Sequence, residues 1–175
     1  GGAEFRLPIL ITIFALFPHR AVRFNLLVSL ITLAFAFATR LNVYSGAGIF
    51  DNIDVLASMI LGGMIAAWIG AGMLSRIPPE RLMSIIAALL LVVAFLLVAE
   101  AGHSNGAPFE LPRDPLVRSI AGVLAGLVVG AISSLLGVAG GEFIIPILIF
   151  LFGLDIQTAG TLSLLISLPI VAMGV

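Results

Sequence analysis

The sequence contains two copies of one segment. Residues 1–37 and 139–175 align without a gap, and 15 of the 37 positions are identical. The identical positions are not all hydrophobic, since they include the pairs Glu4/Glu142, Pro8/Pro146 and Ser29/Ser167. A shared hydrophobic composition would not align a glutamate, a proline and a serine. The segment was therefore duplicated, and the fold is predicted to contain two related repeats.

Composition places these repeats in a lipid bilayer. The chain is 61% hydrophobic and only 10% charged, whereas a soluble domain carries about 25% charged residues. Such a chain cannot cover a water-facing surface, and it suits lipid as its solvent. The predicted fold is all-α, a polytopic bundle of transmembrane helices with an internal repeat.

Composition also excludes several functions. The net charge of −1 gives no argument for nucleic-acid binding, and the absence of cysteine excludes disulfides, thiolate chemistry and cysteine-ligated metals. The two histidines are too few for a histidine-rich metal or catalytic cluster. Because no nucleophile–base pair is visible either, we predict neither an enzyme nor a protein with a metal or cofactor.

The apolar runs fall into two classes of length. Long runs predict spanning helices at 24–38, 55–74, 83–99 and 117–138. Two runs, 7–17 and 144–152, are shorter than the roughly 20 residues that cross a bilayer. The second short run follows the pair Gly140-Gly141, and another helix is predicted from Thr158. The short runs therefore predict discontinuous half-helices, one in each repeat.

Small residues recur at helical spacing in two of the long runs. They are Gly62, Ala66 and Gly70 in one run, and Gly122, Gly126, Gly130 and Ser134 in the other. Such rows of small residues let two membrane helices approach closely. We therefore expect both rows to form contacts between helices.

The duplication also sets the predicted domain boundaries. The first repeat covers residues 1–116, and residues 117–175 are the start of the second. The second copy stops where the first continues, which predicts one and a half repeats of a longer protein. The repeats are inverted if each short run crosses the membrane, and parallel if the short runs are re-entrant. We favour the inverted arrangement.

Four arginines predict the orientation of the bundle. Arg20 and Arg23 lie in one predicted loop, and Arg76 and Arg81 lie in another. The two spanning helices between these loops return the chain to the same side. The positive-inside rule places that side in the cytoplasm.

The pair Gly140-Gly141 is the predicted centre of a binding site. A half-helix that starts at glycines presents unpaired N–H groups and about half a positive charge to a closely approaching ligand. Gly2 stands at the matching position of the first copy, where Ala3 replaces the second glycine. Glycine pairs in membrane helices often serve packing alone. The duplication, with its adjacent glutamate and proline, favours an anion site between the repeats instead.

Glu4 and Glu142 stand in the first turn of the two predicted half-helices. A carboxylate at membrane depth is a functional candidate by default, and one role is to carry a proton during transport. The other role is structural, with each glutamate interacting with the dipole of its helix. Arg6 has no basic counterpart, because Ile144 occupies the matching position. Arg6 could be a counter-charge for the substrate, a partner of Glu4, or an arginine that reaches towards the membrane interface, and we favour the last two together.

Polar side chains on the longer helices are candidates for contact with an oxyanion. Asn25, Thr161 and Ser163 are predicted to bind substrate, and Ser29 and Ser167 could act in the same way. For any single one of these side chains, a hydrogen bond to a neighbouring helix or to a preceding carbonyl is the more common role.

Three blocks of sequence together carry a family resemblance. They are Leu-Gly-Val-Ala-Gly-Gly-Glu-Phe-Ile-Ile-Pro at 136–146, Ala-Gly-Thr-Leu-Ser-Leu at 159–164, and the stretch 52–82, which ends in Arg-Ile-Pro-Pro-Glu-Arg-Leu. Their content and order resemble the TauE/SafE family of sulfite exporters and related permeases. The resemblance implies an inner-membrane protein that is built from a duplicated unit and moves sulfite, sulfonates or other small organic anions. Glu142 departs from the family, which often has a small or apolar residue there, so the substrate can differ from sulfite.

The predicted function is secondary transport of a small anion by alternating access between the repeats. The predicted partners are the lipid bilayer and the anion, and coupling to protons is a further hypothesis. Two alternatives stay open. One is a membrane scaffold in which the glycine rows serve packing alone, and the other is a passive anion channel.

Overall fold

The computed structural model describes residues 3–41, 47–74, 76–78, 80–82, 84–85, 87–88 and 114–175, together with residues 91 and 112. No strand occurs among these residues, which confirms the all-α prediction. The helices are α1 (Ala3–Thr12), α2 (Pro18–Leu41), α3 (Ala47–Phe50), α4 (Ile53–Leu74), α5 (Pro115–Leu136), α6 (Gly141–Phe152) and α7 (Ile156–Gly174). Most of the predicted span 83–99 lies outside the described residues.

The two classes of helix length are confirmed. Four helices, α2, α4, α5 and α7, are long and apolar enough to cross a membrane. In contrast, α1 has 10 residues and α6 has 12. At 1.5 Å per residue a helix like α6 is only about 18 Å long, against a hydrocarbon core of about 30 Å. Both α1 and α6 are therefore half-helices.

The predicted start of α2 was wrong, because the helix begins at Pro18 and not at Phe24. Proline fits the first helical position, where its fixed φ suits the helix and its missing N–H is not needed. Arg20 and Arg23 therefore lie in the first two turns of α2 rather than in a loop. His19 Nε2 lies 3.0 Å from the carbonyl oxygen of Ile77.

The contact of His19 with Ile77 brings the predicted arginine groups to one end of the bundle. We call this the arginine end, and it carries Arg20, Arg23, Arg76 and Arg81. The opposite end, called the distal end, carries Arg40, Asp54, Arg118 and Asp155. The expectation that the four arginines share one side agrees with this geometry.

Helices α4 and α5 run parallel to each other in close contact along their rows of small residues. A Cβ atom added to any of the glycines in these rows would overlap the other helix. The overlaps are those of Gly62 with the Val123 carbonyl, Gly126 with the Met59 carbonyl, Gly130 with the Gly63 carbonyl, Gly122 with Ser58 Oγ and Gly70 with Ser134 Oγ. Only glycine lets the two backbones come this near. The expected helix–helix contacts are thus present, and the two rows face each other.

Helices α2 and α7 are the counterparts of each other in the two copies, and they pack antiparallel. Arg40, at the end of α2, contacts Gln157 and Thr161 at the start of α7. At the other end of the contact, Leu26 lies beside Gly174. Two equivalent helices that run in opposite directions are what an inverted repeat requires.

Helix α7 lies between two buried apolar clusters. Leu162 and Ile166 on one face join buried residues of α4, α5 and α6. Val171 on another face joins buried residues of α1 and α2. The outward faces of the long helices are apolar as well, and Trp68 is 68% exposed. A bilayer accommodates such surfaces because its interior is as apolar as these side chains.

Candidate functional site

A left-handed glycine starts the second half-helix. Gly137 ends α5 with a φ of 69°, and Gly140 precedes α6 with a φ of 72°. The carbonyl of Gly140 accepts hydrogen bonds from the N–H groups of Phe143 and Ile144. Because only glycine adopts this conformation cheaply, the position of Gly140 is set by the backbone. Gly140 also has no side chain that could cap the helix N-terminus.

The backbone at Gly141 faces open space. Among the residues that the structure describes, a Cβ atom added there would meet nothing within 4 Å. Gly141 is therefore required neither by a positive φ nor by packing, unlike Gly140 and the glycines of α4 and α5. The start of α6 carries the positive end of the helix dipole, so an anion could approach this backbone closely.

Glu142 lies in the first turn of α6 and is half-buried. It interacts with another part of the protein, and its negative charge stands at the favourable end of the helix dipole. Both predicted roles, proton carrier and structural cap, are compatible with this position. In the first copy, Gly2 and the side chain of Glu4 lie outside the described residues.

The two half-helices end at opposite ends of the bundle. The start of α6 packs against Val129 and Ser133 of α5, and α6 ends at Phe152, whose ring lies 5.8 Å from the guanidinium of Arg118 at the distal end. In the other copy, α1 leads to Pro18 at the arginine end. The two half-helices therefore run in opposite directions, and the convergence of their starts stays a prediction.

The hydroxyl groups of Thr161 and Ser163 are occupied by their own helix. Thr161 Oγ1 donates to the carbonyl of Gln157 at 2.9 Å, and Ser163 Oγ donates to the carbonyl of Gly160 at 2.9 Å. Thr161 also accepts a hydrogen bond from Arg40. Both residues belong to the part of α7 near the distal end, whereas Gly140 lies deeper in the bundle. Their contact with substrate stays a prediction.

Asn25 is fully buried in α2 and is bonded within the protein. Its counterpart in the second copy is Ser163, so the two equivalent helices place a polar group at the same position. The buried position of Asn25 suits a side chain that links two helices as well as one that binds substrate.

Arg6 does not reach towards the membrane interface. Its Nη2 donates to Ser29 Oγ at 3.0 Å, and Ser29 is 2% exposed at the middle of α2. The snorkelling interpretation is therefore wrong for this structure, since the guanidinium points into the bundle. The sequence signal that could have drawn attention to this region is the identity of Ser29 and Ser167 in the two copies.

Ser167 is the other residue that sequence reasoning undervalued. It is fully buried in α7, and its Oγ has no hydrogen-bond partner among the residues that the structure describes. Its counterpart Ser29 touches the first half-helix through Arg6.

An ion pair fixes the distal ends of three helices. Arg118 Nε lies 3.1 Å from Asp54 Oδ2, and Arg118 Nη2 donates to Asn52 Oδ1 at 2.8 Å. Together with the ring of Phe152 under the guanidinium, these contacts join α4, α5 and α6. Within the described part of the chain, no group of three or more His, Asp or Glu residues could hold a metal ion.

Comparison with known proteins gives one match. The family model described as sulfite exporter TauE/SafE matches residues 1–175. Comparison with curated proteins and with solved structures finds no match. The family match extends over the whole chain, which includes both copies of the repeat and the glycine rows of α4 and α5. The chain therefore belongs to the TauE/SafE family of sulfite exporters.

Proposed function

We propose that this protein exports a small anion, such as sulfite, a sulfonate or a related organic anion, by alternating access. Membership of a sulfite exporter family supports transport and an anionic substrate. Four helices long enough to cross a membrane support an integral membrane protein. We further propose that the membrane is the bacterial or archaeal inner membrane.

The antiparallel packing of α2 on α7 is the observation that carries the mechanism. Equivalent helices that run in opposite directions make the two ends of the bundle nearly equivalent. A small rotation of one repeat against the other then exchanges which end is closed. The half-helices α1 and α6 point to opposite ends of the bundle. Each repeat therefore contributes one half-helix that starts in the interior and ends at the surface.

The backbone around Gly140 and Gly141 is the proposed contact surface for the anion. Its support is the open space in front of Gly141 and the positive end of α6. Glu142, one residue farther on, is the proposed proton carrier. An ionised Glu142 would repel the anion, so protonation and binding are expected to accompany each other.

Counterflow in proteoliposomes tests the proposed function. Vesicles that contain the purified intact protein are loaded with unlabelled sulfite and diluted into a trace of radiolabelled sulfite. A transporter accumulates label transiently and saturates with sulfite concentration. A passive channel gives no accumulation above equilibrium, and a scaffold gives no flux above protein-free vesicles. Either of these two results would contradict the proposal.

A further inference from the structure

Arg6 is a half-buried cation that has no counter-ion among the residues that the structure describes, which do not include the side chain of Glu4. The ion pair between Arg118 and Asp54 is the one salt bridge among the described residues. Within the same part of the chain, the guanidinium of Arg6 bonds only to the neutral hydroxyl of Ser29. A guanidinium has five N–H donors, so most of its hydrogen-bonding capacity remains open. An unpaired charge that is partly withdrawn from solvent inside a membrane protein is costly, and Arg6 is therefore a functional candidate.

Ser167 presents a second open donor. Serine and threonine inside a membrane helix usually bond to a carbonyl of the preceding turn, and Thr161 and Ser163 of the same helix do so. Ser167 is 0% exposed and makes no such bond within the described structure. A buried hydroxyl without a partner destabilises the fold unless something binds to it.

Ser167 and Ser29 both belong to the faces that α7 and α2 turn towards each other. On α7, Gly160 contacts Arg40 and Gly174 lies beside Leu26, and Val171 belongs to the buried cluster of α2. Ser167 follows Gly160 and precedes Val171 and Gly174 at helical spacing, so it lies on the same stripe. Ser29 occupies the corresponding stripe of α2, between Leu26 and Leu33.

The spacing of the two serines suits a small oxyanion. The contacts of Arg40 with Gln157 and of Leu26 with Gly174 set the register of the two helices. In that register Ser29 is level with Val171, one turn away from Ser167, which is about 6 Å along the axis. An oxyanion that lies between the two helices at this level can accept one hydrogen bond of about 2.8 Å from each helix side.

We propose that the centre of the α2–α7 interface binds one small oxyanion between the guanidinium of Arg6 and the hydroxyl of Ser167. Ser29 is a positioning residue, because it holds Arg6 through its Oγ. The proposal rests on the proposed transport function and assigns the cation that attracts the anion. The second copy has Ile144 in place of Arg6, so the site is asymmetric and has a single fixed positive charge.

Binding of sulfite to the purified intact protein in detergent tests the site. The variants are Arg6→Gln, Arg6→Lys and Ser167→Ala, each measured for its sulfite Kd and for its melting temperature without sulfite. Matched controls are Arg23→Gln, an exposed arginine of α2, and Ser58→Ala, a buried serine whose Oγ bonds to the Val55 carbonyl. Methanesulfonate and acetate serve as further probes of the oxyanion class.

The expected results separate binding from stability. Arg6→Gln raises the sulfite Kd by roughly tenfold or more, as for loss of a charge-assisted hydrogen bond, and Arg6→Lys restores part of the affinity. Ser167→Ala weakens binding about threefold to tenfold while its melting temperature stays equal or rises, since an unsatisfied hydroxyl is removed. The two controls keep the Kd of the wild type.

Two results would overturn the inference. One is a sulfite Kd for Arg6→Gln equal to that of the wild type. The other is a Ser167→Ala protein that melts at a lower temperature and binds sulfite normally, because the hydroxyl is then purely structural. If Arg6→Gln does not fold, the sulfite Kd values of Arg6→Lys and Ser167→Ala still test the site.

Counterflow distinguishes failure of the proposed Arg6–Ser167 site from failure of the proposed function. A wild-type protein that transports sulfite, with variants that bind and transport it equally well, contradicts only the assignment of Arg6 and Ser167. A wild-type protein that neither binds nor transports sulfite, methanesulfonate or acetate contradicts the proposed function and this inference with it.

Discussion

Arg40 Nε donates a hydrogen bond to Thr161 Oγ1 at 2.9 Å, between residues that are 121 positions apart in the chain. Arg40 Nη2 also donates to the carbonyl of Gln157 at 3.0 Å. The guanidinium fits against the backbone because Gly160 has no side chain: a Cβ there would lie 3.2 Å from Nη2. This contact closes the distal end of the α2–α7 interface, and the proposed alternating access requires it to break when the site opens to that end.

We predict that Arg40→Ala increases exposure of the interior at the distal end. The protein has no cysteine, so a single Ser163→Cys substitution reports access through its reaction with a membrane-impermeant maleimide. Ser163 is 4% exposed with the contact intact. Loss of hydrogen bonds from a charged group is expected to speed labelling by up to about tenfold. Arg23→Ala is the control, and equal labelling rates for the two variants would show that Arg40 does not hold the end closed.

The glycine rows of α4 and α5 lead to a prediction about stability. Gly126→Ala places a methyl group on the carbonyl of Met59, and such overpacking costs about 1–3 kcal/mol. A methyl group at Gly72→Ala, in the same pair of helices, meets nothing within 4 Å among the described residues, and this substitution is expected to be neutral or stabilising by up to about 1 kcal/mol. Thermal unfolding in detergent compares the two. Equal melting temperatures would contradict the close contact of the helices.

Substitutions of the two glycines at the start of α6 are predicted to have different effects. Gly140→Ala forces a φ of 72° on alanine, which costs roughly 1–2 kcal/mol, and its methyl group lies 2.8 Å from Val129 Cγ1. Gly141→Ala folds like the wild type, because its methyl group meets open space. Its rate of sulfite counterflow is nevertheless expected to fall, since the methyl group occupies the approach to the backbone. Unchanged counterflow would mean that the anion does not approach Gly141.

Glu142→Gln tests coupling to protons. The variant keeps the size and hydrogen-bonding capacity of Glu142 but cannot bind and release a proton. We expect normal expression and melting temperature, with sulfite counterflow retained and the dependence of flux on a pH gradient lost. Flux is measured in proteoliposomes with and without an imposed gradient. Flux that still follows the gradient in the variant assigns Glu142 the structural role alone.

Asp155 is predicted to stabilise α7 in a pH-dependent way. Its carboxylate accepts hydrogen bonds from the N–H groups of Gln157 and Thr158 at 3.1 and 3.0 Å. The Thr158 side chain and these N–H groups hold the pKa of Asp155 below its ordinary value of 3.8. A lowered pKa means that the stabilisation is present above the ordinary value and is lost as the pH falls through the pKa of the folded state.

The measurement compares Asp155→Ala with Asp155→Asn in thermal unfolding. Loss of the cap in Asp155→Ala is expected to cost about 0.5–2 kcal/mol at neutral pH, and the difference from the wild type shrinks below pH 3.8. Asparagine caps helices nearly as well as aspartate, so Asp155→Asn loses less stability. A difference between Asp155→Ala and the wild type that is constant at all pH values would contradict a role for the ionised carboxylate.

Local properties of the sequence were enough to predict most of the helices. Length and hydrophobicity separate the spanning runs from the short ones, and the structure contains both classes. The rows around Gly126 and Gly62 were predictable too, because helical spacing places small residues on one face whatever the partner. The start of α2 at Pro18 was missed, since polar residues such as His19 and Arg20 are tolerated in a terminal turn.

The candidate site was less predictable than the helices. The glycine pair and Glu142 stand out because they are duplicated, but Thr161 and Ser163 turn out to bond to their own helix. Conversely, the inward direction of Arg6 could not be read from its position next to Glu4. Whether a side chain in a helix bonds to a preceding carbonyl, to another helix or to nothing depends on what the fold places beside it.

The sequence by itself determined that this protein is a membrane helical bundle with a duplicated half-helix, because hydrophobicity and repetition are properties of the chain alone. Only the tertiary structure decided how the copies face each other. Identical residues, such as Ser29 and Ser167, carry no information about whether their helices run parallel or antiparallel. That choice is visible in contacts between distant residues, such as Arg40 with Thr161, which exist only after the helices have packed.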